Sequence, residues 1–222
     1  MTLKSLLDAV ISFLLLILLS PLMVLISFLV FVELREIPIY IQERGLSLSK
    51  NCFRLYKFKT MKIHSGKSGD HNHSILLKQN LISFVSFSGR LLRRTGLDEL
   101  PQLINVLKGE MSLVGPRPLS IEDLNQLQKN EKELYERRDK LSIKPGITGL
   151  WQIFGERERG IENLINLDEL YQRERNLFLD FALLLKTIPL IFLAKHSDSI
   201  LPLKKMLAEK IKISGSLELS DS

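Results

Sequence analysis

Two adjacent carboxylates, Asp98 and Glu99, follow a long stretch of chain that is almost purely cationic. Between Glu43 and Asp98 the only acid is Asp70, against Arg44, Lys50, Arg54, Lys57, Lys59, Lys62, Lys67, Lys78, Arg90, Arg93 and Arg94. Shortly after the pair comes Gly115-Pro116-Arg117-Pro118, a rigid loop in which flanking prolines limit the entropy lost when the Arg117 guanidinium meets a phosphate. An ionised carboxylate in such a basic setting can coordinate a hard cation such as Mg²⁺ or attack phosphorus directly. Phosphoryl transfer needs just these parts, cations and donors around a phosphate and little covalent machinery. The plainer alternatives stay open. Acids in a first helical turn are ordinary helix-start features, and a cationic stretch is often a solvated face or a patch resting on anionic lipid.

The elements around these residues are largely helical in pattern. Leu100, Leu103, Ile104 and Leu107 recur at helical spacing, which predicts a helix from about Thr95 or Gly96 to Leu107, with Asp98-Glu99 in its first turn and Gly109 closing it. Adjacent helical side chains point about 100° apart, so the two acids can hold different jobs in one site but cannot form a symmetric clamp. Ile37–Gln42 and Phe53–Ile63 read as short strands, Ile121–Leu141 and Leu164–Arg175 as helices, and Pro145-Gly146 with Gly149 as a loop into Trp151. The polar loop 64–73 ends in Asp70-His71-Asn72-His73. No further ligands at metal-site spacing accompany it, so it is read as solvated.

From Ala9 to Val32 there is no charged residue, a length of apolar chain sufficient to cross the hydrocarbon of a bilayer. Ser20-Pro21 sits at its middle, where the missing proline donor must kink or break a helix. Each half alone is too short to span. Either a kinked helix spans, or a helix-break-helix dips in and returns, with the Ser20 hydroxyl available to a freed backbone group. Lys4 before the segment, with Arg35 and Arg44 after it, would keep both ends cytoplasmic by the positive-inside rule. A second apolar stretch, Leu177–Ala194, contains Asp180, Lys186 and Pro189, and reads as a core or interfacial helix.

The 222 residues carry 31 Lys+Arg and 25 Asp+Glu, a net charge of +6, which points to an anionic partner. No nucleic-acid-binding module is recognisable, and such a partner would leave the apolar N-terminus unexplained. The single cysteine, Cys52, excludes an internal disulfide framework.

The strings FRLYKFKTM (53–61), RRTGLDELPQLINVLKGEMSLVGPRPL (93–119) and KPGITGLWQIFGE (144–156) resemble the signature blocks of the bacterial sugar transferase family, the monotopic phosphoglycosyl transferases, with similarity from about Lys4 to about Pro189. The resemblance implies an α+β, mostly helical membrane protein: a re-entrant helix-break-helix over 6–33 broken at Ser20-Pro21, and a cytoplasmic catalytic domain with short strands. One domain over 1–195 and a polar tail over 196–222 are expected. Implied too is transfer of a sugar 1-phosphate from a UDP-sugar to polyprenol (undecaprenyl) phosphate, releasing UMP. Asp98 would be the nucleophile and a ligand of Mg²⁺, and Glu99 a helper as base or through the metal. Lys57, Lys59, Arg93 and Arg117 would face the phosphates. The setting would be the cytoplasmic face of the inner membrane, among its phospholipids, with downstream glycosyltransferases as further partners. Larger members carry an added multi-span N-terminal region, and this chain corresponds to the catalytic core. It departs from the family pattern at Ser5, where an arginine is usual, at Gly96 in place of serine, and at Glu156 in place of arginine. A catalytically silent, membrane-anchored scaffold of the same fold is the competing expectation.

Overall fold

A computed structural model describes residues 2–62, 85–156 and 159–192. The expected polar loop at 64–73, with its histidines, and the polar tail 196–222 lie outside the described residues. The described chain is mostly helical with a few short strands.

The first helix, α1 (Leu3–Leu34), starts on Thr2, whose hydroxyl accepts from Ser5 N–H, and ends on Arg35 in the left-handed region (φ 56°). Its 32 residues, at 1.5 Å rise, make a rod about 48 Å long. Pro21 lies inside the helix, which runs without interruption from one end to the other. Proline has no N–H for the carbonyl four residues earlier, and that carbonyl, Ile17 C=O, accepts instead from the Ser20 hydroxyl at 2.8 Å. The expected break is therefore a proline accommodated in a continuous helix rather than a loop between two helices. Over its most apolar 18 residues mean hydropathy is 2.9, and only 11% of that window is buried against protein. Leu18, Val24 and Phe28 stand exposed. So much unpartnered apolar surface on one rod fits membrane association.

Both ends of α1 hold the rest of the chain. In its first turns Lys4 pairs with Asp180 at 2.6 Å, and Asp8 accepts from the Ser112 hydroxyl at 2.5 Å. In its last turns Ile26, Val30 and Leu34 form a buried cluster with Phe58 and Leu92, against which Leu97 and Leu100 pack. Those two leucines bracket Asp98-Glu99, so the apolar stripe of α1 seats the carboxylate pair.

Strands β1 (Ile39–Gly45) and β2 (Phe53–Phe58) form an antiparallel ribbon, pairing Tyr40 with Lys57 and Arg44 with Phe53. After α2 (Phe87–Thr95), a 3₁₀ turn (Leu97–Glu99) and α3 (Gln102–Leu107), strand β3 (Ser112–Val114) leads into β4 (Leu119–Ser120), which joins the other edge of β1. Helices α4 (Ile121–Asn130) and α5 (Lys132–Asp139) divide at Glu131, where one long helix was expected. Strand β5 (Gly146–Thr148) runs parallel to β3, followed by α6 (Leu150–Phe154), α7 (Gly160–Glu174) and α8 (Leu177–Phe192). The main core gathers Leu103, Val106, Leu113, Leu124, Ile153, Leu164 and Leu183. On α8, Asp180 faces inward, receiving Lys4 and the Tyr171 hydroxyl at 2.6 Å, while Phe178, Phe181 and Leu185 face out.

Candidate functional site

Gly96 ends α2 with φ 71°, a left-handed conformation that glycine adopts without penalty. The chain then makes a single 3₁₀ turn rather than continuing as α-helix, and α3 restarts after Pro101. Proline cannot donate to the preceding turn, so it serves as a boundary here. The expected first-turn placement of Asp98-Glu99 is thus corrected: the pair sits in a tight turn between two helices. Both residues are buried, at 8% exposure each.

Strand alternation puts Lys57 and Leu55 of β2 on the same face as Gln42 and Arg44 of β1. That face meets the carboxylates. Lys57 Nζ lies 2.9 Å from Glu99 Oε1, and Arg117 Nη1 lies 4.0 Å from the same oxygen. Among the described residues Asp98 makes no ion pair within the same range, although Lys57 and Arg93 both act on it electrostatically. The adjacent acids are therefore differentiated. Glu99 is held between two cations, while Asp98 is buried beside them. Burial pushes the Asp98 carboxyl up to about 6 and Glu99 adds to this, opposed by Lys57 and Arg93. Burial also lowers Lys57, and lowers Arg44 to about 10.

Arg93, in the last turn of α2, donates from Nε to Thr60 Oγ1 at 2.8 Å, and its buried Nη2 has no partner among the described residues. A buried guanidinium nitrogen with no acceptor among the described residues, close enough to act on Asp98, is chemically suited to donate to an anionic group. A concavity opens at Glu99 and Arg117, lined also by Arg44, Lys57, Gln102, Gly146 and Ile147.

Of the residues singled out in the sequence, the fold thus gathers Asp98, Glu99, Lys57, Arg93 and Arg117. Lys59 goes elsewhere, pairing with Glu36 at 2.8 Å beyond the end of α1. Strand β2 stops at Phe58, and Lys59 N–H turns to Pro38 C=O, so the alternation that aims Lys57 inward no longer governs Lys59. Ser20 and Pro21 lie mid-way along α1. Arg44 is a residue the sequence reading left among the general cations. It is 3% exposed, donates from Nη1 to Pro118 C=O at 3.1 Å, and is held by Gln42 Oε1. Its two-residue spacing from Gln42 on a strand was the available signal. Among the described residues no group of three or more metal-ligating side chains forms. The donor chemistry of a carboxylate pair still suits Mg²⁺, which commonly takes one or two carboxylates and fills the rest from phosphate and water.

Buried cations around a split carboxylate pair, seated on a long apolar helix, fit a membrane-associated protein that handles anionic groups. Comparison makes the class specific: the chain belongs to the bacterial sugar transferase family, whose model matches residues 1–194. It is 34% identical over 204 residues to the exopolysaccharide production protein ExoY of Sinorhizobium fredii, covering 86% of this chain and 85% of that protein. It is 33% identical over 201 residues to the undecaprenyl-phosphate galactose phosphotransferase of Salmonella typhimurium, covering 85% of this chain and 40% of the relative. With the UDP-glucose:undecaprenyl-phosphate glucose-1-phosphate transferase of Xanthomonas campestris it shares 34% identity over 155 residues, 68% of this chain and 31% of the relative. The chain thus spans most of the first of these and less than half of the other two.

Proposed function

We propose that the protein transfers a sugar 1-phosphate from a UDP-sugar to polyprenol phosphate, releasing UMP, as the first membrane step of surface polysaccharide or glycoconjugate synthesis. The observation that carries this is the division of labour in the carboxylate pair. Glu99 is neutralised by Lys57 and Arg117, and Asp98 is buried next to them with no ion pair among the described residues. An Asp98 oxygen attacks the β-phosphorus, the bond to UMP breaks, and the sugar phosphate remains as an acyl phosphate on Asp98. A phosphate oxygen of the polyprenol phosphate then attacks the same phosphorus and frees the Asp98 carboxylate. Arg93 and Arg117 bind the phosphates, and Lys57 offsets the charge that builds up on them. Glu99 orients those cations and would assist the acceptor as a base or by helping to hold the metal. Mg²⁺ held by Asp98 with substrate phosphates would supply charge neutralisation.

The test is UMP release by detergent-solubilised protein given a panel of UDP-sugars and undecaprenyl phosphate. Release with at least one donor is expected, whereas silence across a broad panel would favour the scaffold reading.

A pH dependence follows. Asp98 must be ionised to attack, and its carboxyl is held near 6. The donor kcat/KM should be flat above that value and fall about tenfold per pH unit below it. A kcat/KM that instead rises as the pH falls through 6 would remove Asp98 as the titrating nucleophile.

We further infer that α1 is embedded at the cytoplasmic face of the inner membrane without crossing it. Contacts at both ends support this, because Lys4 and Asp8 at one end and Val30 and Leu34 at the other hold the same domain. Tags at either terminus should be reachable only from the cytoplasm, and a periplasmic N-terminus would overturn the topology.

A further inference from the structure

The segment Pro116-Arg117-Pro118 has an unusual backbone problem. Two of its three residues lack an N–H, so it cannot be secured by a regular ladder of its own. Outside donors hold it instead. Pro116 C=O accepts from Gly146 N–H at 2.8 Å, and Pro118 C=O accepts from Arg44 Nη1 at 3.1 Å. Between them, Arg117 is gripped by two residues far away in sequence. Arg138 Nη2 donates to Arg117 C=O, and Arg117 N–H donates to Asp168 Oδ1 at 3.4 Å. Arg138 Nη1 and Asp168 Oδ2 are themselves paired at 2.8 Å. Arg138 is 0% and Asp168 1% exposed.

We propose that the Arg138–Asp168 pair is a positioning device for Arg117, a closed clamp between α5 and α7 that fixes both peptide groups of that residue and so aims its guanidinium at Glu99 and the donor phosphates. This rests on the reading of Arg117 as a phosphate contact. A fully buried ion pair is a poor stability device, since desolvating two charges offsets most of their attraction. The cost is visible at Asp168, whose carboxyl burial pushes up to about 6 despite Arg138. What the pair supplies is direction. Asp168 accepts on one side of the Arg117 Cα and Arg138 donates on the other, so loop and pair lock together.

A double-mutant cycle on the detergent-solubilised full chain tests this, with UMP release as readout. Asp168→Asn should lower the donor kcat/KM on the order of 10- to 100-fold, the scale of a misplaced binding group. In an Arg117→Ala background the same change should cost less than about twofold, because the group being positioned is gone. Equal losses in both backgrounds would overturn the proposal, since a general structural role acts regardless of Arg117. Arg138→Lys keeps the charge but cannot bridge Asp168 and Arg117 C=O at once. It should reproduce the loss with little change in Tm, and wild-type kinetics in that variant would equally overturn the clamp. If wild-type protein releases no UMP with any donor, the functional reading fails separately. The clamp is then judged by hydrogen exchange at the Arg117 amide, expected to quicken in Asp168→Asn and refuted by unchanged exchange.

Discussion

Replacing Asp98 with asparagine is expected to abolish UMP release, by roughly 10³-fold or more, while making the protein harder to unfold. The loss follows from removing the attacking oxygen's charge in a site whose cations remain in place. The gain follows from linkage. Asp98 titrates near 6 in the fold against an ordinary 3.8, so the folded state holds the proton more tightly than the unfolded chain does. Its contribution is most favourable below the unfolded value, declines as pH rises through the folded one, and leaves a penalty of up to about 3 kcal/mol at neutral pH. Asparagine is neutral at every pH and relieves that penalty. Thermal unfolding at pH 7.5 should therefore show a raised Tm for the inactive variant, and the difference should shrink towards pH 4. An inactive Asp98→Asn with a lowered Tm would mean that the carboxylate is structural.

Lys57→Met is expected to fail on both counts. It removes the Glu99 ion pair at 2.9 Å and leaves that buried carboxylate 4.0 Å from Arg117. Breaking a buried pair on one side costs about 3 kcal/mol, several degrees of Tm in a chain of this size. Activity should fall about 10²-fold or more through the lost charge at the phosphates. Because Lys57 is the strongest influence lowering Asp98, the residual activity should also show its acid limb displaced to higher pH. Lys59→Met is the internal comparison. Its partner Glu36 is about a third exposed, so less than about 1 kcal/mol and a small rate change are expected. A variant pair behaving the other way round would place the phosphate cation at Lys59.

Much of this architecture could be read from the chain. The apolar run, its central Ser-Pro and the need for a partner at the freed carbonyl were all local properties, and the Ser20 hydroxyl fills that need. The carboxylate pair stood out because a cationic stretch ended on it. Its setting did not, because a leucine pattern cannot show that Gly96 turns left-handed and Pro101 starts a new helix. Lys57 and Lys59 carried the same expectation from the family resemblance, and the strand ends between them. Arg138 and Asp168 were invisible for a deeper reason. Each sits in a charged helical stretch that reads as solvated surface, and only tertiary packing buries them together against a loop twenty-one residues before the first of them. The inward turn of Asp180 has the same origin, since its partner Lys4 lies at the other end of the chain.

The central claim is that Asp98 carries the phospho-sugar between two half-reactions. Isotope exchange tests it most directly: labelled UMP is incubated with the protein and unlabelled UDP-sugar, with no polyprenol phosphate present. The account predicts that label enters the UDP-sugar, because the first half-reaction runs and reverses without an acceptor, and that Asp98→Asn eliminates the exchange. If label enters only when polyprenol phosphate is added, transfer is direct, and the covalent role of Asp98 is contradicted.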